Sequence, residues 1–170
     1  MNNYQSRRLN RWRLAVLSVV AIAASATITN ATTKTKIDNQ TQQAMIDSIN
    51  DEYQARAFYN AVIKKFGEVR PFSNIVHAED RHVNLWKTIF TQYGLPIPPD
   101  KFAGKVDVPD TLQAACQAGV KAEIANVAMY DRFLTFIQQP DLRAAFSQLR
   151  YVSQERHLPA FQRCVNRQIN

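Results

Sequence analysis

The sequence predicts an all-α protein: a bundle of four helices arranged as two antiparallel helical hairpins joined by a long crossover. Three observations lead there. Apolar residues recur at helical spacing in four stretches, and no run alternates in the manner of a strand. Gly67, Gly94 and Pro140 fall between those stretches, where chain breakers belong. The phrase AEDRH (78–82) returns as SQERH (153–157), as if one hairpin had been written twice. A chain of 170 residues suffices for one domain with its own core, and 46% hydrophobic content with four Gly and seven Pro suits a helical globular protein better than a disordered one.

The first element precedes the bundle. The net charge of +7 is concentrated at the start, where Arg7, Arg8, Arg11 and Arg13 stand with no acidic residue before Asp38. Setting those four aside leaves 17 basic against 14 acidic residues, with no basic stripe interleaved with aromatics, which argues against a nucleic-acid partner. The cluster is followed by the apolar run Leu14–Ala26, which ends in the small-residue site Ala24-Ser25-Ala26. Basic, apolar and small-residue regions in that order are the plan of an export signal. The run is shorter than the roughly 20 apolar residues that span a bilayer, which favours cleavage over an anchor. The expectation is a signal at 1–26, a flexible linker at 27–40 and a bundle at 41–170, in an exported, periplasmic or secreted protein. Membrane contact is then expected only through the signal. SRRLN (6–10) leaves both the general and the twin-arginine export routes open.

The bundle follows in order. From Thr41, a helical pattern places Met45, Ile49, Glu52, Phe58 or Tyr59, and Val62 or Ile63 along roughly one face until Gly67 stops it. Pro71 suits the first turn of a second helix, which Gly94 ends. The stretch 94–110 holds four of the seven Pro and two of the four Gly, so it reads as a connection long enough to run the length of a bundle. Asp110 or Thr111 can cap a third helix reaching about Gln139, and Pro140 allows a fourth from about Asp141 to Arg167.

The repeated phrase carries the chemistry. Aligning the hairpins on Glu52 and Glu123 puts an Ala five later, an apolar residue at six and a Tyr at seven in both. Glu79 and His82 are three apart, so they share a helix face and can grip one cation together. Across the four helices Glu52, Glu79, His82, Glu123 and His157 then face one core. Carboxylate and imidazole donors in that number suit iron or manganese, with zinc as an alternative. Hairpin register agrees: pairing Glu123 with His157 puts the turn at Pro140, and pairing Glu52 with Glu79 or His82 puts it near Gly67. The break in the repeat is Gln154, where the pattern asks for Glu. Glu155, one residue on, reaches the core only if the helix is distorted, for which Pro159 offers a cause. Gln154 and Glu155 therefore both stand as candidates. His77 reads as surface, and Tyr59 and Tyr130 as core aromatics or as partners of the ligands.

Cys116 and Cys164 lie at matching levels on the second hairpin, seven residues from Glu123 and His157 respectively. A bridge between them is expected in an exported protein, with about 4 kcal/mol of stabilisation by chain entropy. Two buried thiols are the alternative.

The segments 51–83, GLPIP (94–98), AEIANVAMYDRFL (122–134) and HLPAF (157–161) resemble the ferritin-like superfamily, in particular a bacterial and archaeal ferritin-like family of unassigned function. The resemblance covers about Thr41 to Arg167. It implies a ferritin-like four-helix bundle, ligand places for Glu52, Glu79, His82, Glu123 and His157, and one or two bound irons. Members of that superfamily oxidise ferrous iron, reduce peroxide, store iron or oxygenate substrates, and the resemblance does not choose among them. With no large insertion to hold an organic substrate, the expectation is ferroxidase or peroxidase chemistry with oxygen or peroxide as partner. Gln154 departs from the superfamily's fuller ligand set, which leaves a non-catalytic metal-binding or structural bundle as the second reading. A bundle without metal at the cell envelope is the third. Oligomeric state is open.

Overall fold

The computed structural model describes residues 36–169. The expected signal at 1–26 and most of the linker lie outside the described residues. Those described form α1 (Asn39–Phe66), α2 (Phe72–Tyr93), α3 (Leu112–Leu134), α4 (Pro140–Val152), a π-turn (Ser153–His157) and α5 (Leu158–Ile169). The last three run on as one interrupted helix, and no strand occurs among the described residues. None of the described helices is long and apolar enough to cross a membrane.

Local chemistry sets most of the ends. Asp38 caps α1 by accepting from the Thr41 N–H at 2.6 Å, so the helix begins at Asn39, inside the segment expected to be linker. Gly94 closes α2 in the left-handed region (φ 65°), and its N–H and that of Leu95 return to Phe90. Thr111 rather than Asp110 caps α3, accepting from Ala114 N–H. Pro71 stands just before α2 rather than in its first turn.

Two boundaries depart from expectation. α3 ends at Leu134, five residues short of Gln139. The Arg143 guanidinium donates to the carbonyls of Leu134 and Ile137, both at 2.8 Å, and so satisfies backbone that a longer helix would have paired internally. The fourth helix is not continuous: a π-turn occupies the repeated phrase SQERH itself.

α1 packs on α2, α3 packs on α4, the π-turn and α5, and α1 also meets α3. The core forms two apolar layers. Met45, Ile49, Trp86, Phe90, Phe133 and Phe146 belong to one; Val62, Phe72, Ile75, Cys116, Phe161 and Cys164 belong to the other. On α2, α3 and the interrupted last helix the expected ligands lie in sequence between these groups, and on α1 Glu52 lies at the edge of the first, beside Tyr53, so the polar cluster has an apolar layer on either side. Cys116 and Cys164 are paired as a buried disulfide, with Cα atoms 5.8 Å apart. The connection 94–111 lies along α1, where Arg56 pairs with Asp100 at 2.8 Å and Lys65 Nζ donates to the Pro109 carbonyl at 2.9 Å.

Candidate metal centre

Glu52 comes from α1, Glu79 and His82 from α2, Glu123 from α3, and His157 from the end of the π-turn. The three carboxylates and His157 are at most 5% exposed. Charged groups so deep in a protein persist only when paired or bound to cations. Here they form two linked groups, Glu52–Glu79–His82 and Glu79–Glu123–His157, each with its donor atoms within 4.8 Å of one another. Glu79 belongs to both. His82 Nδ1 lies 3.1 Å from Glu52 and 3.0 Å from Glu79, and His157 Nδ1 lies 3.2 Å from Glu79 and 3.4 Å from Glu123. The imidazole rings stack with centroids 5.8 Å apart.

The electrostatics follow from that crowding. Burial pulls both histidines down, but their carboxylate partners outweigh it, pushing His82 up to about 10 and His157 up to about 9. Burial, then the neighbouring charge of Glu79, pushes Glu52 up to about 8. Burial would raise Glu79 too, but its contacts with both histidines hold it far below the usual carboxylate range. Without cations, protons compensate the cluster.

Two tyrosines hold the carboxylates from opposite sides. Tyr59 Oη, on α1, donates to Glu123 on α3 at 2.8 Å, and Tyr130 Oη, on α3, donates to Glu52 on α1 at 2.8 Å. Each tyrosine thus serves the other helix's ligand, and such outer contacts fix the orientation of carboxylates that bind metals.

The structure does not bring Glu155 to the cluster; its side chain is exposed. Gln154 is half-buried, and its Oε1 is buried without a hydrogen-bond partner among the described residues, so it stays a candidate beside the two groups. Ser153 and His157, at the two ends of the π-turn, are both buried. His77 is exposed, as expected.

A cavity of about 380 Å³ opens between α1 and α3 and reaches Glu52, Glu79 and Glu123. Ala55, Ala118, Ala122 and Ala125 line it together with Phe58 and Tyr59, and neither histidine does. On its polar side Ser153 Oγ donates to Asn126 Oδ1 at 2.7 Å, and the Asn126 amide donates to Asp51. Burial pushes Asp51 up to about 6 despite that bond. Sequence reasoning missed all three residues of this chain. The signal was present in the repeat: Asp51 aligns with Ala122, Asn126 with Ala55, and Ser153 with Ala78.

Fold and cluster together define a class, an all-helical bundle with buried carboxylate–histidine groups that could hold a metal ion. Among solved structures, a hypothetical protein from Methanococcus jannaschii DSM 2661 is similar to this chain, with a TM-score of 0.71 at 19% identity over 79% of this chain and 85% of that one. At that identity the likeness speaks for the fold alone. No family model matches the chain, and no curated protein matches it.

Proposed function

We propose that this chain is an exported, ferritin-like metalloprotein whose buried cluster holds two cations, iron foremost, and serves oxidant chemistry of the ferroxidase or peroxidase type. The observation that carries the reading is the sharing of Glu79 between two groups of donors, each completed by one further carboxylate and one histidine. The two-hairpin arrangement is supported by pairs that step in opposite directions along neighbouring helices. Glu52–His82 and Arg56–Asp80 do so on α1 and α2, and Asp131–Arg150 and Glu123–His157 on α3 and the interrupted helix.

The donor set fits the metal. Glu52, Glu79 and His82 would hold one cation, and Glu79, Glu123 and His157 the other. Manganese and zinc accept the same donors. When bound, iron supplies the electrons that reduce oxygen or peroxide. The chain's own part is to hold Glu52 and Glu123 in place through Tyr130 and Tyr59, to keep water out with the two apolar layers, and to admit small reactants through the α1–α3 cavity. The buried disulfide is in keeping with an oxidising compartment.

A second reading has one observation in its favour: the fourth carboxylate expected at Gln154 is absent, which lowers the charge available to a second cation. Under it the cluster is a structural or non-catalytic metal site. Elemental analysis after anaerobic reconstitution with ferrous iron separates the two. Two irons per chain, followed by consumption of oxygen or peroxide, supports the first; a single inert ion supports the second. His82→Ala and Glu123→Ala should both lose metal, while Glu155→Ala should retain it. Full metal content in both of the former variants would overturn the assignment.

A further inference from the structure

Three of the differences between the two hairpins are neighbours in space. The repeat offers Ala122 where α1 has Asp51, Ala55 where α3 has Asn126, and Ala78 where the π-turn has Ser153. These three departures meet in space as one hydrogen-bonded chain, Ser153 to Asn126 to Asp51, on one side of the α1–α3 cavity. A polar chain assembled only where the repeat is broken answers a need that the symmetric cluster does not meet.

That need is access. The cluster is closed off by an apolar layer on either side, and a divalent cation crossing either layer would lose its hydration with nothing in return. The cavity is different, because it brings Glu52, Glu79 and Glu123 to an opening. Asp51 lines the same cavity as the three carboxylates but belongs to neither group of donors. The Asn126 amide occupies Asp51 Oδ2, and among the described residues no hydrogen bond engages Oδ1. Ser153 in turn holds Asn126 at its other end.

We propose that the α1–α3 cavity is the route by which divalent cations reach the cluster, and that Asp51, positioned by Asn126 and Ser153, is the carboxylate that receives them on the way. The inference rests on the metal-binding reading above. It adds a transit site of oxygen donors, suited to a hydrated divalent cation that exchanges waters one at a time before meeting the histidines.

The experiment measures uptake, not turnover. Full-length protein, stripped of metal by chelation, is mixed anaerobically with cobalt(II), and the absorbance of the bound ion is followed by stopped flow. Equilibrium dialysis gives the final number of ions per chain. Asp51→Asn keeps the shape and removes the charge; it should slow uptake about tenfold or more while leaving the final number unchanged. Ala122→Leu, which adds bulk to the cavity wall and removes no member of the polar chain, should also slow uptake with the final number unchanged. Helix content and melting temperature confirm that both variants are folded. Uptake by Asp51→Asn at the wild-type rate would overturn the proposal, as would a lower final number at an unchanged rate, which would make Asp51 a permanent ligand. No cobalt bound by the wild-type protein would overturn the metal-binding reading itself, and this inference with it.

Discussion

At the scale of single residues, the cluster is defined as much by what holds its carboxylates as by the carboxylates themselves. A buried Glu with two free rotamers binds a cation poorly, because binding must first pay the entropy of fixing it. Tyr59 and Tyr130 remove that cost beforehand, each from the helix opposite its acceptor. Tyr59→Phe deletes one oxygen and changes almost nothing else. It should lower metal affinity by about tenfold and cost roughly 1 kcal/mol of stability, the usual effects of losing an outer contact and a buried hydrogen bond. Tyr130→Phe should behave alike, because Glu52 then loses the equivalent donor. Competition with a chelator of known affinity reads the first effect and denaturant titration the second. If affinity is unchanged in both variants, the tyrosines are core aromatics and no more.

At the scale of elements, the packing that frames the site depends on one close approach. A Cβ placed on Gly119 of α3 would stand 2.5 Å from the ring of Phe161 on α5. That ring is fully buried and packs against Tyr59 at 5.3 Å and Phe72 at 5.1 Å, so it has no room to yield. Gly119→Ala should therefore destabilise by about 1–3 kcal/mol, although Ala is the better helix former. It should also disturb the Tyr59–Glu123 bond. Thermal unfolding decides the matter, and a variant as stable as the wild type would show that α5 can shift outward at no cost. The same scale shows what the sequence could and could not disclose. Helices α1 and α2 were legible because Gly67 and Gly94 stop them by local chemistry. The five ligand candidates were legible because helical spacing and the internal repeat both point at them. The early end of α3 was not, since it is set by Arg143, which reaches back from another helix. The π-turn was legible in part: Pro159, without an N–H to return to residue 155, marks a distortion at that place, but the wider form the turn takes is not written in its residues. Once the turn is in place, Gln154 and Glu155 cease to be equivalent rivals: one buries a side-chain oxygen that has no partner among the described residues, and the other is in solvent.

At the scale of the whole molecule, the cluster ties stability to pH, and bound metal changes that dependence. In the metal-free protein the folded state keeps protons that the unfolded chain gives up. His82 and His157 are raised from 6.5 to about 10 and about 9, and Glu52 from 4.5 to about 8. A group raised on folding stabilises most below its unfolded value, and that contribution is lost as pH climbs through the folded one. All three groups therefore act in the same direction between about pH 6 and 10, and the metal-free protein should melt at steadily lower temperature across that range. Glu79 is lowered instead, so its contribution is present above 4.5 and is lost only on acidification below that value, outside this window. Cations bound by the same donors displace the same protons, so their affinity should rise with pH just as the empty cluster weakens. Melting curves at about pH 6, 7.5 and 9, with and without bound metal, should diverge: a falling series for the stripped protein, and a growing gap between it and the loaded one. A stripped protein whose melting temperature held constant over those steps would mean that the carboxylates and imidazoles are not coupled in the folded state. The buried pairing on which the metal centre is built would then be absent.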